Sequence, residues 1–148
     1  MKVYLAAPCS TEYRTELVKV VRILRAHGFE VYAPFELQIP NAWDMSQERW
    51  AKIVFDKDVE AINAADAVLV VSQGRESTAG TNWEQGYAYA KGKTIYVYQM
   101  NQNPTSLMTY WGSSGFRSWC NFSDVADKMI GDLNGTKCKE THCMTVLT

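Results

Sequence analysis

In this chain of 148 residues the side chain best placed to do chemistry is Glu84. The run Gly80-Thr81-Asn82-Trp83 before it reads as the opening of a helix, so the carboxylate falls in the first turns, where unpaired backbone N–H groups and the helix dipole stabilise an anion. A carboxylate held ionised there can serve as a nucleophile or as the stabiliser of a developing positive charge. The same position also suits an ordinary dipole partner at a helix start. Asp66 is a second carboxylate, set just before an apolar run, where its plainer reading is a capping or turn aspartate. Tyr4 lies inside an apolar segment and reads first as a core tyrosine whose hydroxyl must find a partner. Trp43, Trp50, Trp83 and Trp111 offer faces on which a planar ligand could stack, or simply pack. His27 and His142 fall in a helix end and near the C-terminus, so no histidine-centred triad can be assembled.

The elements that would position these groups alternate. Val3-Tyr4-Leu5-Ala6-Ala7 is a buried strand, and Ser10 or Thr11 can cap the helix after it. Leu17, Val20, Val21 and Leu24 recur at helical spacing, Arg25 and His27 suit the negative end of the dipole, and Gly28 suits a left-handed terminus. Glu30-Val31-Tyr32-Ala33 is a second strand stopped by Pro34. Residues Phe35 to Met45 read as a surface loop, of a length and place that often carries function. Ser46 can cap a second helix reaching Ala64, with Trp50, Ile53, Val54, Val59 and Ile62 on one side. Ala67-Val68-Leu69-Val70-Val71 is uniformly apolar, as a central parallel strand covered on both faces should be. Ser72 to Ala79 is a loop, Gly80 to Gly92 a third helix, and Thr94 to Tyr98 a fourth strand. Beyond it the chain suggests an apolar patch at Leu107-Met108, a short strand near Phe116 and a helix from Ser123 to Leu133. This alternation builds a small doubly wound α/β fold, a Rossmann-like or flavodoxin-like parallel sheet with helices on both faces. Ligands of such sheets bind beyond the carboxyl ends of the strands. That rule selects Ala7 to Thr11, Gln73 to Glu84 and Gln99 to Met108.

Composition narrows the function. With 47% hydrophobic and 21% charged residues the chain should fold rather than stay disordered, with 1–134 as a single domain and 135–148 as a mobile tail. Fifteen Lys and Arg against 16 Asp and Glu leave a net charge of −1, so no global positive field attracts a nucleic-acid backbone. Apolar runs are far shorter than the ~20 residues that cross a bilayer, and the opening stretch is too short for a signal-peptide core. The expectation is a cytoplasmic protein with no membrane or nucleic-acid partner and with Cys9, Cys120, Cys138 and Cys143 as reduced thiols. Cys138, His142 and Cys143 lack the second close cysteine pair of a metal clip, so no metal is expected. Neither GxGxxG nor GxxxxGK[ST] occurs, so dinucleotide and P-loop binding lack their fingerprints.

Three segments together, Val3-Tyr4-Leu5-Ala6-Ala7-Pro8, Ala65-Asp66-Ala67-Val68-Leu69-Val70 and Gly80-Thr81-Asn82-Trp83-Glu84-Gln85-Gly86-Tyr87-Ala88, resemble the nucleoside 2-deoxyribosyltransferases in order and spacing. The resemblance covers about residues 1 to 112. It implies cleavage of the N-glycosidic bond of a 2'-deoxynucleoside and transfer of the sugar to another nucleobase, with a carboxylate trapping the oxocarbenium-like C1' as an ester. Glu84 matches the nucleophile of that family, Tyr4 the tyrosine that orients it, and Asp66 an aspartate that exchanges a proton with the base. Pro8, Glu76, Ser77, Thr78 and Gly80 then fall at the substrate, and no cofactor is implied.

Two departures bear on the 5' end of the sugar. Where the family usually carries Asp-Ser-Gly-Thr, this chain reads Glu76-Ser77-Thr78-Ala79-Gly80-Thr81, so either Glu76 replaces the aspartate or Thr78 takes its place. Where the family often has Asn-Leu-Met reaching a neighbouring subunit's site, this chain reads Ser106-Leu107-Met108. Hydroxyls at both places resemble the related 2'-deoxynucleoside 5'-monophosphate N-hydrolases, because hydroxyl donors tolerate a phosphate dianion that a carboxylate repels. The partners expected are thus a deoxynucleoside or deoxynucleotide and a free nucleobase, in a homo-oligomer of two or more copies, since Ser106 and Met108 would complete a neighbour's site. A nucleotide-binding module without catalysis is the reading from another class.

Overall fold

The computed structural model describes residues 1–74, 77–135, 139 and 146–147. Five strands, β1 (Lys2–Ala6), β2 (Glu30–Tyr32), β3 (Ala67–Ser72), β4 (Thr94–Gln99) and β6 (Gly115–Arg117), form one parallel sheet in the order β2-β1-β3-β4-β6. A two-residue strand β5 (Thr105–Ser106) pairs with β7 (Val146–Leu147) apart from it. Helices α1 (Thr11–Ala26), α2 (Gln47–Ala64), α3 (Ala79–Ala90), the short α4 (Leu107–Trp111) and α5 (Val125–Leu133) fill the connections. The doubly wound parallel sheet expected from the alternation is the fold.

The period-two side-chain alternation of a strand divides the core into two layers. Val3 and Leu5 of β1 and Leu69 and Val71 of β3 pack with Leu17, Val20, Val21 and Leu24 of α1 and with Met129 and Leu133 of α5. Tyr4, Ala6, Val68 and Val70 point the other way, against Ile62 of α2, Ala88 of α3 and Tyr110 of α4. Every residue of β3 is buried, which explains its unbroken apolar sequence.

The helix limits follow from their caps. Ser46 starts α2 by accepting a hydrogen bond from the Arg49 amide, and Gly28 closes α1 at φ +91°. Helix α3 begins one residue earlier than expected, at Ala79, because the Thr78 hydroxyl accepts from the Thr81 amide. At Gly74 φ is +66° and a Cβ would lie 2.7 Å from the Pro104 carbonyl, so only glycine fits that turn after β3. The expected loop from Phe35 to Met45 holds two 3-10 turns, Pro34–Glu36 and Ala42–Asp44, and is tied to α1 by the paired contacts of Arg25 with Glu36 at 2.6 and 2.8 Å.

One segment departs from the simple reading. The apolar side of α2 is only partly covered, with Ile62 alone fully buried and Trp50 39% exposed, because that side borders an open cavity rather than core. In the segment 135–148, Lys139 bridges to Phe116, donates to the Ser113 carbonyl at 3.0 Å, and sets its ammonium 4.7 Å from the Tyr110 ring and 4.9 Å from Trp111. Cys138, His142 and Cys143 lie outside the described residues, within which no helix is long and apolar enough to cross a membrane.

Asp132 of α5 is buried and accepts from Tyr98 at 2.8 Å and from two nitrogens of Arg117 at 2.9 and 2.7 Å, joining α5 to β4 and β6. Asp132→Ala removes the buried carboxylate that the Tyr98 phenol and two Arg117 nitrogens share. It is expected to cost about 3–5 kcal/mol in chemical denaturation.

Candidate active site

The strand order reverses between β1 and β3, and the groups that could do chemistry gather above the carboxyl ends of these two strands. Tyr4 is fully buried on the α2 and α3 side of β1, and Glu84 reaches toward it from the second turn of α3. The Tyr4 hydroxyl and Glu84 Oε2 are both buried, and neither completes a hydrogen bond. Buried polar atoms are nearly always satisfied, so the Glu84 oxygen left unpaired at the wall of a cavity, with the Tyr4 hydroxyl close enough to act on its charge, marks a place where a ligand belongs.

That cavity, of about 330 Å³, is lined by Trp50, Val54 and Phe55 of α2 and by Trp83 and Glu84 of α3, with Asp58 on its wall. Trp83 packs edge-on against Phe55 with ring centroids 5.2 Å apart and stacks on Tyr87 at 5.3 Å. Of the tryptophans noted in the sequence, Trp50 and Trp83 thus border this cavity, whereas Trp43 is 85% exposed on the loop before α2.

Asp58 is the carboxylate that sequence reasoning missed. It accepts a hydrogen bond from the Tyr32 hydroxyl at 3.1 Å, and its charge is felt at Glu84, Tyr4 and Cys9. The sequence did hold a signal, since Asp58 interrupts the apolar stripe of Val54 and Ile62 at four-residue spacing, where a charge has no structural reason to be. Asp66 is not brought to this edge. It precedes β3, so a parallel strand roughly 20 Å long separates it from the carboxyl end. There it is exposed and accepts from the Lys2 amide at 2.8 Å.

Electrostatics set the two site carboxyls apart from surface acids. Burial pushes Glu84 up to about 7, with the Asp58 charge adding to the rise and the Tyr4 hydroxyl opposing it. Burial also raises Asp58, against the pull of the Tyr32 hydrogen bond. Tyr4 is held far above the usual phenol range by burial and by the Glu84 carboxylate, so it stays a neutral phenol whose proton is available to that carboxylate. Cys9, just beyond β1, is raised by burial and by the charges of Glu84 and Asp58, and stays a thiol.

The remaining expected site residues divide. Gly80 lines the cavity beside Glu84. Ser77 ties down its own loop, accepting from the Gln73 amide at 2.7 Å and pairing with Ser72 Oγ at 3.0 Å. Thr78 caps α3 and shares a 2.7 Å contact with the Thr81 hydroxyl. Pro8 borders a neighbouring cavity of about 260 Å³ on the opposite side of the sheet edge, with Tyr13, Gln73 and Asn101. Glu76 lies outside the described residues. Ser106 and Met108 do not meet Glu84 within the chain. They line a groove of about 480 Å³ along a different face of α3, with Asn82, Gln85, Tyr89 and Trp111.

The family model for nucleoside 2-deoxyribosyltransferase matches residues 3–140. The chain belongs to this family. Among solved structures it is similar to a 2-deoxyribosyltransferase from the psychrotolerant bacterium Bacillus psychrosaccharolyticus, at 27% identity and a TM-score of 0.78, over 95% of this chain and all of the other. The fold is shared with a CMP N-glycosidase from Clostridium botulinum (21% identity, TM-score 0.60, 90% and 99% covered) and with a 2-desoxiribosyltransferase from Leishmania mexicana (19%, 0.54, 95% and 91%). None of the curated protein sequences matches the chain significantly. The nucleoside 2-deoxyribosyltransferase family comprises glycosyl-transferring and N-glycosidic-bond-cleaving enzymes of nucleosides, and the two carboxyls of the cavity suit that chemistry.

The raised pKa of Glu84 has a measurable cost. Between its ordinary value of 4.5 and about 7 the folded protein keeps a proton that the unfolded chain has lost, so stability falls as pH rises through that window and the penalty is complete above it. Glu84→Gln removes the penalty. Thermal or urea unfolding should find the variant up to about 3 kcal/mol more stable than wild type at about pH 8 and no more stable at about pH 4.

Proposed function

We propose that the protein cleaves the N-glycosidic bond of 2'-deoxynucleosides and transfers the deoxyribosyl group to another nucleobase through a covalent ester on Glu84. The observation that carries this reading is a pair of carboxyls in one aromatic-lined cavity, one of them facing a buried, unpartnered tyrosine hydroxyl. A Glu84 oxygen attacks C1' as the C1'–N bond breaks, its electron pair leaves with the base, and Asp58 supplies the proton that neutralises the base. An incoming base then attacks C1', the ester C–O bond breaks to restore the Glu84 carboxylate, and Asp58 takes the N–H proton. Burial serves both roles. It leaves the Glu84 carboxylate poorly solvated and hence reactive, and it favours the protonated form of Asp58 that a general acid needs. The Tyr4 hydroxyl orients Glu84, and the aromatic rings of Phe55, Trp50 and Trp83 offer faces to the base.

The second reading, hydrolysis of 2'-deoxynucleoside 5'-monophosphates, has a specific observation in its favour. The start of α3 is capped by the Thr78 hydroxyl and its first turn holds no acidic residue, so a hydroxyl and the positive end of the helix are there to meet a phosphate. For either substrate class, Tyr89, Met108 and Trp111 are 64, 74 and 68% exposed around Ser106, which favours a second copy of the chain on that face and a site completed between copies.

The test is product analysis with thymidine plus adenine and, separately, with deoxynucleoside 5'-monophosphates, using Glu84→Ala as control. Deoxyadenosine formed from the first mixture supports transfer. Free base released only from the monophosphates moves the protein to the hydrolase reading, and binding with no base released from either leaves a non-catalytic module. In whichever reaction proceeds, Asp58→Asn should lower kcat about a hundredfold or more, whereas Asp66→Asn should leave it within about twofold. The reverse ranking would return the proton-exchanging role to Asp66.

A further inference from the structure

We propose that Tyr32 is a positioning residue that holds the acid and the nucleophile's partner at once, its hydroxyl fixing Asp58 and its ring fixing Tyr4. The inference rests on the glycosyl-transfer reading and adds to it a group outside the reacting atoms. Tyr32 ends β2 and is the register partner of Tyr4 on β1, so both side chains rise from the same face of the sheet. Their rings stack with centroids 5.6 Å apart and planes 12° from parallel. From that stack the Tyr32 hydroxyl donates to Asp58 Oδ1 at 3.1 Å. Among the described residues the Asp58 carboxyl accepts no other hydrogen bond, so Oδ2 stays available to a base in the cavity. One chain of contacts therefore runs from α2 through β2 and β1 to Glu84 on α3.

Packing alone does not account for the phenol. A phenylalanine would preserve the stack, and Tyr32 is only half-buried, so its hydroxyl could be hydrated instead of aimed at Asp58. The carboxyl has a nearly two-fold torsion about its last bond, and a single directed hydrogen bond selects which oxygen faces inward. The ionisable groups around Asp58 are Tyr32 on β2, Glu84 on α3, Tyr4 on β1 and Cys9 beyond it, with Glu60 of α2 acting on the Tyr32 phenol. None of these described groups is a cation, and the Tyr32 hydroxyl is what opposes the rise that burial imposes on Asp58.

The experiment uses Tyr32→Phe, Asp58→Asn and the double variant. Carbon NMR titration of the aspartate carboxyls, with Asp58 assigned by its loss in Asp58→Asn, should place the Asp58 pKa about one unit higher in Tyr32→Phe. Turnover should fall about tenfold in kcat with KM within about twofold, because the lost bond orients an acid and does not bind the substrate. In the Asp58→Asn background the same substitution should change kcat by less than about twofold. An unshifted Asp58 titration in folded Tyr32→Phe, or losses that multiply in the double variant, would overturn the proposal. A wild type with neither base exchange nor base release would instead defeat the glycosyl-transfer reading, and the titration would still decide whether Tyr32 holds Asp58.

Discussion

Everything about the active cavity depends on keeping one carboxylate out of water. Among the described residues no cation acts on Glu84, and its polar neighbours of consequence are the Tyr4 phenol of β1, itself fully buried, and the Asp58 carboxyl. Such a group is unfavourable for folding, and the molecule tolerates it because the sheet beneath is so thoroughly covered. Both layers of core meet on β1 and β3, so these two strands can hold a strained electrostatic arrangement at their ends without moving. The instability is local and the support is global, which is the usual relation between a reactive site and its scaffold.

The arrangement also explains why α2 looks incomplete as a core helix. Its apolar side carries enough hydrophobic residues to pack, but Trp50, Val54 and Phe55 are left bordering space. Filling that space with larger core side chains would stabilise the protein and remove the chamber in which Glu84 and Asp58 are desolvated together. Burial of the two side chains favours their protonated forms, so two acids can sit side by side by sharing out protons instead of taking a counter-ion.

Much of the fold was legible in the sequence because period and punctuation agreed. The uniform apolar run of β3, the helical spacing of Leu17 to Leu24, and the glycine at 28 each have one physical reading. Glu84 was legible for a related reason, since a helix start after a central strand has a fixed place in a doubly wound sheet. The place of Asp66 was not legible, because closeness to an apolar strand says nothing about which end of it a residue occupies, and only the direction of the chain decides that. Asp58 and Tyr32 were hidden for a different reason. Each sits in an ordinary element, one on a helix face and one at a strand end, and they become a pair only when β2 and α2 are laid on the same face of the sheet. No local pattern encodes a meeting of residues 26 positions apart.

Asp66 nonetheless has work to do at the far edge. Its carboxylate accepts from the Lys2 amide while its own amide donates to the Lys2 carbonyl, both at 2.8 Å, and from that clasp the ladder runs Val3 to Ala67, Tyr4 to Val68. A strand shifted by one residue would turn every side chain to the opposite face and carry the Tyr4 phenol into the layer of α1 and α5, away from Glu84. The aspartate that lies away from the cavity is thus a registration mark for it, fixing from one end of the sheet which residue of β1 faces Glu84 at the other.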